Sequence, residues 1–257
     1  MLKVGIEHEF VFVDKAGRYL DADNSRYSTF REIVDNFPTF DGDDAVFDCK
    51  SLEHYPKRCY VEGFERHDSG GQRVETLPKG LEIRTRPHAS AEGAVEEFRS
   101  SYAAAMPLAA RAGLSPVLTS RHPFKASLAL EEQLGPEERA VRTPAQLALA
   151  KRAMLSHGLH VNVSLGDCTA EKMRALVEKV NYYTPSLIPW SFSSPFCEGR
   201  AFEGLCCRNY LRAETRRMAD ALSRRCIRVL ECREFEAFGD AGPVAAIVKL
   251  YCAFLLD

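Results

Sequence analysis

The chain has 257 residues, 46% of them apolar and 27% charged, with a formal net charge of −2. That balance is ordinary for a globular protein, and the length allows a sizeable core without disulfide or metal staples. It argues against a polycationic nucleic-acid binder and against global attraction to an anionic membrane.

The first element is announced by GIEHEF. Val4, Ile6, His8, Phe10 and Phe12 alternate with Gly5, Glu7, Glu9, Val11 and Val13, the period of a β-strand, so Glu7 and Glu9 share one face. Charges at Lys3, Glu7 and Glu9 also break any signal-peptide core. Asp41 to Gly80 is irregular: DGDD, HDSGG and LPKG carry turn chemistry, and CYVEGFE between them reads as a strand. LEIRTR (81–86) alternates again, with Glu82, Arg84 and Arg86 on one side. A long helix is predicted from Ala91 to Ala112, capped by Ser90 and stopped at Gly113.

LSPVLT then reads as a short strand and SRHPFK as a loop. Thr143-Pro144 opens a helix to about His157. LHVNVSL (159–165) is the cleanest alternation, with His160, Asn162 and Ser164 opposite the aliphatic side. Thr169 caps a helix to about Tyr183, and Thr184-Pro185 restarts a short one before the loop SFSSPFCEGR. Glu203 to Arg225 is predicted mostly helical. CIRVLECREF (226–235) is a strand with Glu231 and Arg233 on one face, and an apolar helix runs from Gly242-Pro243 to Leu256. These strands are two-faced rather than uniformly apolar. The prediction is an α+β fold: an antiparallel or mixed sheet with helices on one face and the other face open. No repeat or linker divides the chain, so residues 1–257 form one domain.

Four separated strands thus carry the polar pairs Glu7/Glu9, Glu82/Arg84, His160/Asn162 and Glu231/Arg233. For any single pair, a solvated strand face with cross-strand ion pairs is the simpler reading. Taken together, carboxylates, one imidazole, one amide and arginines on one sheet face describe a cleft. Its acidic groups would repel unless a cation sat among them. Carboxylate oxygens suit Mg²⁺ or Mn²⁺, and a histidine tilts the set toward Mn²⁺ or Zn²⁺. Two metals together usually handle phosphate, which forked guanidinium groups also bind. The cysteines are nine, an odd count, and no C-x-x-C occurs; they read as reduced cytosolic thiols, most of them small core residues.

These segments resemble the glutamate–cysteine ligase-like carboxylate–amine ligases. GIEHEF is similar to that family's opening G-[IV]-E-x-E-F, and LEIRTRPH to its second acidic strand. SRHPF is similar to its T-H-P-F loop and HGLHVNVSL to its H-V-x-V strand. PWSFSSPFCEGR, followed by Arg208, resembles A-x-S-S-P-F-x-x-G and its arginine, and VLECREF the closing [VL]-E-x-R. The order agrees from Gly5 to about Phe235. The resemblance implies a glutamine synthetase-like fold, a curved and mainly antiparallel sheet whose concave face holds ATP and two or more divalent metals, Mg²⁺ or Mn²⁺. It implies metal ligation by Glu7, Glu9, Glu82, His160 and Glu231. Catalytic roles fall to Arg233, Glu7 and Glu231, with Arg233 near the transferred phosphoryl group. Arg208 is implied at the nucleotide phosphates or substrate, with Arg84 and Asn162 as further cleft contacts.

The implied activity is an ATP-dependent carbon–nitrogen ligase, γ-glutamyl by family habit, acting through an acyl phosphate on small-molecule substrates: an amino-acid carboxylate and an amine. A cytoplasmic protein without nucleic-acid or membrane partners is expected, with a homo-oligomer suggested by the family alone. Glu75 is a candidate further acidic ligand or a surface charge. His122 and Phe124 are candidates to shape a substrate pocket or to serve a structural loop. Two departures stand out: Asn162 where the family has a second histidine, and Cys197 where it has an aromatic residue. The chain is also shorter than typical bacterial members. Two rival readings stay open: phosphoryl transfer to a guanidino group, and a degenerate member acting as a nucleotide- or ligand-binding regulatory protein.

Overall fold

A computed structural model describes residues 2–47, 57–68, 70, 72–130, 134–213, 218–224 and 227–256. In chain order the elements are β1 (Lys3–Phe10), β2 (Phe12–Val13), α1 (Tyr27–Asn36), α2 (Asp43–Val46), β3 (Cys59–His67), β4 (Arg73–Arg84), α3 (Ala91–Arg111) and β5 (Ser115–Pro116). There follow α4 (Pro136–Val141), α5 (Pro144–Met154), β6 (Gly158–Ser164), α6 (Ala170–Leu187), β7 (Phe196–Cys197), β8 (Arg200–Ala201), α7 (Cys207–Ala213), β9 (Ala219–Arg224), β10 (Ile227–Glu236) and α8 (Ala241–Leu256).

The main sheet has the order β3-β4-β1-β6-β10-β9, every neighbouring pair antiparallel. Bulges interrupt β4 opposite Glu62/Gly63 and β10 between Cys232 and Phe235. A bulge bends its strand and raises its twist, which curls the sheet. The two-faced strands sort as alternation requires. Val4, Ile6, Phe10, Leu81, Ile83, Leu159, Val161, Val163, Leu230 and Phe235 are buried in one core cluster with Phe30 of α1, Phe98 of α3, Val177 and Val180 of α6, and Val248 and Tyr251 of α8. The helices cover that face, and the other carries the polar pairs. The expected α+β architecture is the observed one. Among the described residues no helix is long and apolar enough to cross a membrane, and the described cysteines are free; Cys49 and Cys226 lie outside them.

Caps set the helix ends as the sequence suggests. Ser90 Oγ accepts from Gly93 N at 3.1 Å, and Thr143 and Gln146 form a reciprocal capping box at the start of α5. Three expectations are corrected. The stretch from Asp41 to Gly80 is less irregular than its turn residues suggest, because β3 and β4 build a long hairpin across it. Thr184-Pro185 starts no new helix, since α6 runs through it to Leu187. Glu203 to Arg225 is not one helix: α7 is short, and Ala219–Arg224 forms an edge strand paired with β10. Ala, Leu and Arg favour helix locally, but a free ladder on β10 outweighs a preference of a few tenths of a kcal/mol per residue.

Candidate active site

The four strands carrying the polar pairs are neighbours, so the pairs meet on one face. Glu7 stands opposite Arg84 on one side and His160 on the other. Glu9 faces Glu82, and Asn162 lies between Gly5 and Glu231. Glu7, His160 and Glu231 each present a ligand atom within 4.8 Å of the others. His160 Nδ1 is 3.7 Å from Glu7 and 3.6 Å from Glu231, while its Nε2 is buried without a hydrogen-bond partner, as is Asn162 Oδ1. Two carboxylates converging on His160 Nδ1 suit a divalent cation of the Mg²⁺ or Mn²⁺ kind.

Two arginines border this triad. Arg233 bonds the outer oxygen of Glu231 and leaves its Nε and Nη1 unpartnered in a buried setting. Arg208, in the first turn of α7, is wholly buried. Its Nη1 donates to Asn209 Oδ1 at 3.0 Å and to the Arg233 carbonyl at 3.1 Å, while Nε and Nη2 have no partner. Orphaned charged donors are costly to bury and are satisfied by an anion with several oxygens. Gly158 makes the room: a Cβ there would lie 2.1 Å from Arg208 Nη2 and 3.3 Å from His160 Nε2.

A second acidic group, Glu9, Glu62 and Glu82, also gathers within 4.8 Å. Burial, and then the charges of Glu62, Glu7 and Glu9, push the Glu82 carboxyl well above the usual range, against a hydrogen bond from Tyr60. Burial likewise pushes Glu62 up to about 7, against the pull of Lys79. Glu9 goes the other way. Its burial favours the neutral acid, but the Lys79 ammonium together with His160 and His157 outweighs this and holds it well below the usual range. Lys79 Nζ donates to Glu9 Oε1 at 2.7 Å and to the Ser156 carbonyl at 3.0 Å, and Gly158 N donates to the other Glu9 oxygen at 2.7 Å.

Lys79, Glu62 and Tyr60 are absent from the sequence-based candidates, and the bulge explains why. Glu62 pairs with Gly80 and Gly63 with Pro78, so Lys79 is the extra residue. Strict alternation would send its side chain to the core with Leu81 and Ile83. Gly80 was the available signal, since an isolated glycine in a strand marks a bulge. Its φ is +155°, and a Cβ there would lie 2.0 Å from the Phe10 carbonyl oxygen.

The remaining candidates have structural partners. Arg84 stacks over Phe47 at 4.3 Å and Tyr60 at 4.8 Å and donates to the Lys57 carbonyl at 3.2 Å. Glu75 is half-exposed, ion-paired with Arg66 at 2.7 Å, and belongs to neither acidic group. His122 is buried with Nε2 3.0 Å from Asp21 Oδ2, and its Nδ1 accepts from the amides of Phe124 and Lys125. It ties down the H-P-F loop and leaves Phe124 exposed. The S-S-P-F segment is also scaffold: Ser193 donates from Oγ to Glu236 at 3.0 Å, and the Glu236 amide donates to Ser191 Oγ at 3.0 Å.

A curled antiparallel sheet whose polar face gathers carboxylates, an imidazole and two buried arginines is the architecture of the carboxylate–amine ligases. The model of glutamate–cysteine ligase family 2 (GCS2) matches residues 3–219, and the chain belongs to that family. It is 32% identical over 126 residues to the Ruegeria pomeroyi protein named "putative glutamate–cysteine ligase 2", covering 49% of this chain and 32% of that protein. A protein of the same name from Rhodospirillum rubrum is 26% identical over 196 residues, covering 76% of this chain and 42% of the other. The matched region therefore spans less than half the length of these relatives. Among solved structures, a chain of the complex between the prokaryotic ubiquitin-like protein Pup and its ligase PafA shares the fold, with a TM-score of 0.54 and 13% identity over 99% of this chain and 45% of that one.

Proposed function

We propose that the polar sheet face catalyses ATP- and divalent-metal-dependent ligation of a carboxylate to an amine, with glutamate's γ-carboxyl as the acyl donor. The observation that carries the reading is the pairing of the Glu7/His160/Glu231 triad with two buried arginines whose donors have no partner. A purely structural ion-pair network would satisfy those donors internally.

Glu7, His160 and Glu231 would hold the divalent ion, which when bound neutralises phosphate charge and polarises a phosphoryl oxygen. The γ-phosphoryl group of ATP passes to the substrate carboxylate, breaking the bond to ADP and forming an acyl phosphate. The amine then attacks the acyl carbon, forming the amide and releasing phosphate. Arg233 and Arg208 supply fixed N–H donors to the oxygens on which charge builds, with no reorganisation needed at the moment of reaction. Glu231 holds Arg233 in place through its outer oxygen.

The test is a thermal-shift series in which the protein is melted alone, with Mg²⁺ or Mn²⁺, with ATP, and with both. A ligand that binds only the native state raises the melting temperature. A rise of several degrees that needs metal and nucleotide together is expected, followed by phosphate release in the presence of glutamate and an amine panel. No shift under any condition would leave a cleft that does not bind nucleotide. ADP with a phosphorylated product, and no free phosphate, would indicate a kinase instead.

A further inference from the structure

The two acidic groups on the sheet face differ in what stands among them. In the Glu7/His160/Glu231 group, His160 Nδ1 faces Glu7 at 3.7 Å and Glu231 Oε1 at 3.6 Å, and the Arg233 guanidinium engages Glu231 through Oε2. In the Glu9/Glu62/Glu82 group a cation stands between two of the carboxylates. Lys79 Nζ lies 2.7 Å from Glu9 and 3.7 Å from Glu62, and its side chain is 5% exposed. Its donors are spoken for by Glu9, the Ser156 carbonyl at 3.0 Å and the Ala153 carbonyl at 3.4 Å.

Those carbonyls belong to the end of α5 and the turn after it, where the helix dipole favours positive charge. The β4 bulge at Gly80 aims the lysine into this socket. Each Glu9 oxygen already accepts one hydrogen bond, Oε1 from Lys79 Nζ and Oε2 from the Gly158 amide. A Mg²⁺ or Mn²⁺ ion needs several oxygens at just over 2 Å in near-octahedral order. At Glu9 it would sit against an ammonium of like charge, 2.7 Å from the carboxylate.

We propose that Lys79 is a built-in cation that takes the place of a divalent ion in the Glu9/Glu62/Glu82 pocket. The polar face then binds one divalent ion of its own, at Glu7/His160/Glu231, and a second only when Lys79 is removed. The inference rests on the metal-binding reading of the cleft and adds to it the number of ions and the residue that sets that number. Lys79 is a positioning residue: it holds Glu9, and through Glu9 the Gly158 amide beside Arg208, in one arrangement at every metal concentration.

The test counts Mn²⁺ bound to the full chain without nucleotide, from the electron paramagnetic resonance signal of the free ion. One bound ion is expected in the wild type and two in Lys79→Met. Two ions in the wild type, or one in both proteins, would overturn the inference and leave the ligase reading standing. No ion in either protein would overturn both. Lys79→Met leaves three carboxylates facing one another, so its melting temperature in chelator should fall and be restored by Mn²⁺. Should that variant not fold at all, Glu7→Gln decides. With Lys79 in place it is expected to bind no Mn²⁺, and one retained ion would sink the proposal.

Discussion

Among single residues, Glu234 sits where no apolar logic would put it. It follows Arg233 in the β10 bulge and is wholly buried, beside the Cys232 thiol. Burial pushes its carboxyl up to about 7 from an ordinary 4.5. Between those two values the unfolded chain has lost a proton that the folded chain keeps. Stability therefore falls as pH rises across that window, and the loss is complete above the folded value. Glu234→Gln should leave stability nearly unchanged near pH 4.5 and raise it near pH 8, by on the order of 2 kcal/mol. Denaturant unfolding of both proteins at the two pH values measures this. Equal effects at both would mean that Glu234 is not neutralised by folding. Residue-level reading of the sequence could not find this group, because alternation from Glu231 and Arg233 puts position 234 among the core residues and says nothing of a carboxylate there.

At the scale of elements, the opening of β6 governs the fit of the buried arginine. Gly158 starts the strand, gives its amide to Glu9, and leaves a space that Arg208 fills. Arg208 is 0% exposed, so a methyl group at 158 cannot simply turn it into solvent. Gly158→Ala is expected to cost about 1–3 kcal/mol of stability by overpacking and to reduce the melting-temperature rise with ATP and Mn²⁺ well beyond that of a control. Gly17→Ala is not a suitable control, because Gly17 has a positive φ; Gly135→Ala, with open space at its Cβ, is. A full ATP response in Gly158→Ala would show that Arg208 does not face the nucleotide.

The same scale explains what could be read in advance. Glu7, Glu9, Glu82, His160, Asn162 and Glu231 sit on regular stretches, where a period of two predicts the face directly. Lys79 sits at a bulge, where the period slips by one and the prediction reverses. Tyr60 and Glu62 share one face of a strand legible in the sequence, but its place beside β4 comes from the ladder and not from its own residues. The edge strand at Ala219–Arg224 was unreadable for a different reason: its conformation comes from the partner ladder on β10 and not from its own residues.

For the whole molecule, the helix layer and the sheet share one core cluster that runs from Val4 to Leu255. Phe98 of α3 lies at its centre, with its ring 5.6 Å from His8 and 6.4 Å from Phe10. Phe98→Ala should cost about 3–5 kcal/mol. The sole tryptophan, Trp190, stacks on Phe235 of β10, two strands along the sheet from β1. If the cluster is one cooperative unit, tryptophan fluorescence and far-ultraviolet circular dichroism will report the same lowered midpoint. Separate midpoints would mean that the β10 side melts independently of α3.

The strand order has a consequence for how the protein is made. β1 can pair with β4 once residue 84 is available, but its other neighbour is β6. At about 5–20 residues per second, a ribosome needs roughly 4–15 s to go from the one to the other. Throughout that interval the opening strand presents an unpaired ladder beside the apolar row of Val4, Ile6 and Phe10. β1 therefore waits through this interval exposed to chaperones, and slowing translation between β4 and β6 should lower the yield of native chain more than slowing it after β10.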